Sequence, residues 1–153
     1  GILSIVRDDD LELPILIAEK KNQGTNRLRE SEGKAIQAKG NAIERLGKNV
    51  IGFRAALLSA SIFPFVCFGD GCDFADESSI LDRVVTIAMF GKLIHEYLHN
   101  QSVGERFNRV SFYFREPEWT EREMQNRCYS IAEKSVYYYY SKYGETAFLP
   151  HEK

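Results

Sequence analysis

Apolar residues in this chain fall into short runs separated by strongly polar intervals, and the spacing inside each run predicts its structure. Ile2 to Val6 and Leu13 to Ala18 flank Arg7-Asp8-Asp9-Asp10-Leu11-Glu12, an interval whose polar residues favour a turn, so the two runs read as an antiparallel hairpin. The second run is apolar at consecutive positions, as expected for a central strand covered on both faces. Asn22 to Gly33 is polar and punctuated by glycine, which reads as an exposed loop. After Gly40-Asn41, the residues Ile43, Leu46, Val50, Phe53, Leu57 and Leu58 recur at intervals of three and four and predict a helix, which Pro64 prevents from continuing. Phe63 to Phe68 is a short β-rich run, and Gly69 to Asp76 a turn. Helical spacing resumes at Ser79 and persists through Leu98, with Gly91 as an interruption. Val110 to Phe114 is β-rich, Pro117 ends it, and a long helix follows over Thr120 to Tyr143. The order β, β, α, β, α, β, α predicts an α/β fold: three layers, α/β/α, with a central mixed or mostly parallel sheet and helices on both faces.

Composition narrows the class. A chain of 153 residues, 44% hydrophobic, can bury one ordinary core but not two, so a single domain spanning 1–153 is expected. No apolar run approaches the twenty or so residues that a membrane span needs, and the first stretch lacks the basic start and cleavage site of a signal peptide. The expectation is a soluble, cytoplasmic protein that does not associate with membranes. Cys67, Cys72 and Cys128 are odd in number and lack zinc-type spacing, which fits reduced, packed thiols. The chain starts at Gly1 and its only methionines are Met89 and Met124, so it reads as a fragment of a longer protein. A net charge of -2 argues against a generic nucleic-acid coat. Its distribution says more: from Lys20 to Arg54 there are nine basic residues against three acidic, a plausible footprint for a phosphate backbone as well as for a solvated charged face.

The candidate chemistry begins where the second strand ends, at Ala18-Glu19-Lys20-Lys21. Side chains alternate along a strand, so Glu19 and Lys21 project together while Lys20 points away. A carboxylate beside an ammonium suits metal-assisted phosphodiester hydrolysis: the first is a hard ligand for Mg2+, and the second can hold an attacking water next to phosphate. Taken singly, the two are also ordinary surface charges at a strand exit. A rival motif is His95-Glu96-Tyr97-Leu98-His99, an HExxH that on a helix places two imidazoles on one face for zinc. No third ligand is marked for it: Glu116, Glu118 and Glu121 are equivalent choices, and the remaining histidine is His151. His95 and His99 therefore read as polar positions flanking a core stripe. Asp70-Gly71-Cys72-Asp73 has an acidic look but not the spacing of a calcium loop, and reads as a turn.

The hexapeptide Gly40-Asn41-Ala42-Ile43-Glu44-Arg45, set about twenty residues after the Glu19-Lys20-Lys21 strand end, resembles the recognition stretch of the EcoRI family of restriction endonucleases. Gly1 to Lys21 is similar to that family's catalytic hairpin, and Lys48-Asn49, Phe63-Pro64-Phe65-Val66, Ile80-Leu81-Asp82-Arg83 and Glu118-Trp119 also have counterparts. The resemblance implies a restriction-endonuclease-like PD-(D/E)xK fold, a homodimer on palindromic double-stranded DNA, dependence on Mg2+, and a partner DNA methyltransferase in the host. It implies that Glu19 and Lys21 are catalytic, with Glu19 a metal ligand, and that the family's first acid falls two positions before Gly1. It assigns Ala38, Asn41, Ala42, Glu44, Arg45 and Arg83 to base recognition, which agrees with the match of amide and guanidinium groups to adenine and guanine edges. An AATT core follows, with GAATTC as the whole site. Thr86 stands where the family has a second arginine and Gln37 where it has a methionine, so the outer base pair is less firmly implied than the core. The alternative readings are a sequence-specific DNA-binding module without catalysis and, on the HExxH motif, a zinc metallopeptidase.

Overall fold

A computed structural model describes residues 1–22, 25–35, 41–57, 62–73, 105–109 and 112–148, with backbone only at 41–45, 54 and 105–109. Five strands, β1 (Ile2–Val6), β2 (Glu12–Asn22), β3 (Phe65–Asp70), β4 (Glu105–Arg109) and β5 (Phe112–Arg115), form one sheet in the order β1-β2-β3-β5-β4. The outer pairs β1/β2 and β4/β5 are antiparallel, and the inner pairs β2/β3 and β3/β5 are parallel. The sheet is therefore mixed, as the alternation of elements predicts. Helices α1 (Asn26–Ser31), α2 (Asn41–Ala56) and α3 (Glu121–Tyr143) follow, with a 3-10 turn at Glu145–Phe148.

The hairpin closes as the polar interval requires. Arg7 donates its amide N–H to the Leu11 carbonyl at 3.0 Å, and Asp10 donates to the Arg7 carbonyl at 3.0 Å. Asp10 takes a φ of 62°, a conformation that aspartate tolerates better than most side chains. Asp8 to Asp10 thus lie at the turn, while Glu19 lies seven residues from Glu12 along β2, about 23 Å away at the rise of a strand.

Period-two alternation in the inner strands divides the core between two helices. Phe65 and Cys67 of β3, Phe112 and Phe114 of β5 and Ile17 of β2 pack with Leu46 and Val50 of α2. Val66 and Phe68 of β3 and Tyr113 of β5 pack on the opposite face with Trp119 and Ile131, joined by Leu16, Ala18, Met124 and Cys128. Two helices on opposite faces of the sheet make the three layers. Leu13 and Ile15 join the second face through Tyr139, although they are odd-numbered like Ile17. The cause is a bulge: Leu3 pairs with Leu16 but Ser4 pairs with Pro14, so β2 carries one residue more than β1 and its facing changes phase.

Four elements differ from the sequence expectation. The polar stretch from Asn22 is not all loop: β2 runs on to Asn22, and Thr25 caps α1 by accepting from the Leu28 N–H at 3.1 Å. Six residues are too few for a periodic signal to emerge. Strand β4 was not expected because Glu105-Arg106-Phe107-Asn108-Arg109 is polar; it is an outermost strand, and among the described residues only β5 supplies its pairing. Strand β3 reaches Asp70, past the predicted start of the turn. The helix expected over Ser79 to Leu98, with its HExxH motif, lies outside the described residues.

Gly69 is the position where the sheet leaves no room. It pairs with Phe114, and a Cβ there would lie 2.0 Å from Phe114 Cδ1 and 2.6 Å from Cε1. Phe114 is fully buried and stacked on Phe112 at 6.1 Å, so the ring has nowhere to retreat. Gly69→Ala is expected to destabilise the fold by about 1–3 kcal/mol, the range for overpacking a filled core. Urea denaturation would measure it, read as a lower midpoint at unchanged slope.

Candidate active site

The two ends of the inner parallel strands differ in chemistry, and the charged end is the one to which β2 delivers Glu19, Lys20 and Lys21. Lys20 pairs with Phe68 and Lys21 with Gly69 across the parallel register, so this charged tip is held in sheet geometry rather than frayed. Alternation then sorts the three side chains. Glu19 and Lys21 share the face of Ile17, which is the α2 face. Lys20 turns to the α3 face, as expected.

On the α2 face the Lys21 ammonium contacts Glu19 Oε1 directly, and Asn49 of α2 donates its Nδ2–H to the same oxygen at 3.2 Å. Both charged side chains are only partly exposed, Glu19 at 20% and Lys21 at 24%. The other carboxylate oxygen, Glu19 Oε2, is buried and has no hydrogen-bond partner among the described residues. A buried anionic oxygen without a partner is costly, and a cation is the natural occupant of its free lone pairs. Glu19 also lines a cavity of about 220 Å³, bounded further by Gly1, Ile2, Asn49, Phe53 and Phe65. Among the described residues no group of three or more His, Cys, Asp or Glu side chains is arranged to hold a metal. Magnesium does not need one, because it retains several waters and binds through one or two carboxylates. Glu19 Oε2 fits that demand as a single protein ligand. The Cys67 thiol behind the pair is buried, and desolvation first and the Glu19 charge second push its pKa upward, so it remains a neutral packing group.

On the opposite face Lys20 is locked. Its Nζ lies 3.0 Å from Asp70 Oδ2 and 3.1 Å from Glu118 Oε1, and these contacts raise its pKa. Asp70 is buried, and its Oδ1 accepts the Trp119 backbone N–H at 2.9 Å, while Trp119 donates its indole N–H to the Gly69 carbonyl at 3.2 Å. Arg115 stacks on Trp119 at 3.8 Å and donates to both Glu123 oxygens, at 2.8 and 2.6 Å. Glu123 closes a capping box with Thr120 at the start of α3. Asp70 is therefore committed to structure, and so is Asp73, whose carboxylate accepts the Asn26 N–H at 2.9 and 2.8 Å. The acidic look of residues 70–73 is thus explained by a turn that ties β3 to α1 and α3.

The hexapeptide Gly40 to Arg45 enters α2: Asn41, Ala42, Glu44 and Arg45 fall within its first five residues. Only their backbone is described. Ala38 and Arg83 lie outside the described residues, as do His95, Glu96 and His99. Sequence reasoning gave no role to Asn49, noting it only as part of a recurring pair. A signal was available in its spacing, since Asn41, Arg45 and Asn49 recur at every fourth residue of one helix.

Residues 1–146 match the family described as restriction endonuclease EcoRI. The type II restriction enzyme RsrI of Cereibacter sphaeroides is 29% identical over 155 residues, covering 80% of this chain and 56% of its own length. The type II restriction enzyme EcoRI of Escherichia coli is 33% identical over 91 residues, covering 54% of this chain and 33% of its own length. The chain spans about half the length of the first and a third of the second. No helix among the described residues is long and apolar enough to cross a membrane.

The Arg115–Glu123 clamp makes stability depend on pH in acid. The hydrogen bond from Arg115, then those from Thr120, hold the Glu123 pKa down at about 2, against a usual value near 4.5. A depressed carboxylate pKa means that the unfolded chain binds the proton more readily, so the clamp contributes fully above the usual value and fades as pH falls toward 2. Glu123 is 43% exposed and solvent screens part of the effect. The stability difference between wild type and Glu123→Gln, followed by urea denaturation, is expected to shrink steadily from pH 5 to pH 2.

Proposed function

Since this chain belongs to the EcoRI restriction endonuclease family, we propose that it is the nuclease domain, residues 1–153, of a cytoplasmic type II site-specific deoxyribonuclease. The proposed reaction is Mg2+-dependent hydrolysis of phosphodiester bonds in double-stranded DNA. The enzyme acts as a homodimer on a palindrome with an AATT core, GAATTC in full, and a DNA methyltransferase of the same specificity protects the host. One observation carries this reading: a carboxylate and an ammonium in contact on one face of a strand end, with Glu19 lining a cavity and its Oε2 buried without a hydrogen-bond partner among the described residues.

Each residue then has a task. Glu19 Oε2 would hold the metal, while its Oε1 is occupied by Lys21 and Asn49. The chemistry supplied by Mg2+ when bound is Lewis acidity toward the scissile phosphate. Lys21 orients the attacking water and offsets negative charge as it develops on the phosphate. Its contact with Glu19 keeps it at that place before substrate arrives. Asn41, Ala42, Glu44 and Arg45 read bases from the start of α2, with Ala38 and Arg83 as further readers. Each good bidentate contact would contribute roughly 1 to 3 kcal/mol of discrimination.

The reading is tested by digesting DNA that carries AATT in every flanking context, using the full-length protein with Mg2+. Cleavage is expected at AATT sites, best within GAATTC, and Glu19→Ala is expected to reduce it by about 100-fold or more. Cleavage unchanged by that substitution removes Glu19 from the mechanism. Tight, selective binding without any cutting by the wild type would instead establish a DNA-binding module.

A further inference from the structure

Asn49 sits at a junction that neither the base-reading stretch nor the catalytic pair accounts for. It is exposed to solvent as a residue, yet its amide is aimed at the partly buried Glu19 carboxylate, at 3.2 Å from Oε1. Its neighbours on α2, Leu46 and Val50, are fully buried against β2 and β3, and Phe53 lines the same cavity. The helix is therefore pinned to the sheet on both sides of Asn49. Asn41–Ala56 is one uninterrupted helix, so Arg45 precedes Asn49 by one turn, about 6 Å along the axis. Base-reading positions and a Glu19 partner thus ride on one rigid body.

The two donors to Glu19 Oε1 differ in kind. Lys21 is a cation on a flexible stem, and a DNA phosphate entering the site competes with Glu19 for it. Asn49 is neutral and carried on a short side chain, so a phosphate has far less pull on it. Once Lys21 turns to substrate, Asn49 is the described donor that still fixes Oε1, and fixing Oε1 fixes the direction in which Oε2 points.

The geometry points to Asn49 as a positioning residue that holds the Glu19 carboxylate for its metal and, through α2, ties that orientation to the seating of the base-reading turn on DNA. This inference rests on the nuclease reading above. A partner that orients a metal ligand typically contributes 10- to 100-fold in metal affinity. The test titrates Mn2+ into the DNA-free full-length protein by calorimetry, comparing wild type, Asn49→Ala, Asn49→Gln and Glu19→Ala. Asn49→Ala is expected to weaken Mn2+ binding about tenfold, and Asn49→Gln, which keeps an amide donor, to recover part of the loss. Single-turnover cleavage of the preferred site and of a site with one changed base provides the second readout. Asn49→Ala is expected to narrow the ratio between the two rates, because base reading no longer reaches the carboxylate through this residue.

The outcomes separate cleanly. Wild-type Mn2+ affinity in Asn49→Ala, with loss of it in Glu19→Ala, overturns this inference and leaves the nuclease reading standing. Undiminished Mn2+ binding by Glu19→Ala removes Glu19 as a ligand, and both readings fall together. If Asn49→Ala binds Mn2+ normally but weakens metal-free DNA binding more than tenfold, Asn49 is a DNA contact and not a positioning residue.

Discussion

The pairing of β2 with β3 is the constraint on which the other features depend. Ile17 to Asn22 match Phe65 to Asp70 one for one, and this parallel register keeps the charged tip of β2 extended where a free strand end would fray. Extension fixes alternation, and alternation decides that Glu19 and Lys21 face α2 while Lys20 faces α3. A slip of one residue would reverse all three and carry Lys20 into the place of the carboxylate. The register is secured by what lies beneath it: Phe65, Val66 and Cys67 have no exposed surface, and none could turn toward solvent without emptying the core.

The two faces of the tip are unequal in energetic character. On the α3 side, Lys20 and Asp70 form a pair in which the carboxylate is only 4% exposed and is also hydrogen-bonded to the backbone of Trp119. Removing the lysine would strand a buried charge, the costly way to break such a pair. The contact with Glu118, whose side chain is 77% exposed, contributes little by comparison. This side is settled, with Asp70 holding a partner through each oxygen. On the α2 side, Glu19 Oε2 is buried and without a hydrogen-bond partner among the described residues; Asp70 Oδ2 shares that condition but lies 3.0 Å from the Lys20 ammonium. Structural ion pairing and the proposed chemistry thus fall on opposite faces of the same three residues.

What could be read from the sequence was what is periodic or local. The hairpin, α2, β3 and α3 carry dense apolar spacing or strong capping chemistry, and each stands close to its expected place. The same-side placement of Glu19 and Lys21 follows from strand geometry alone. What could not be read depends on partners far away in the chain. Lys20 meets Glu118 across 98 positions, and Asn49 meets Glu19 across 30, and no local pattern announces either. Strand β4 hid behind a polar composition, and α1 behind its brevity: Thr25 supplies a cap, but six residues with none buried offer no stripe.

The bulge in β2 has a consequence beyond its own neighbourhood. Because Leu13 and Ile15 reach α3 in one phase and Leu16 and Ala18 reach it in the other, the strand behaves as two segments whose parities are independent. Gain or loss of a residue in the hairpin can be absorbed at that joint. The end that carries Glu19 and Lys21 then keeps its orientation whatever the parity of the distal end.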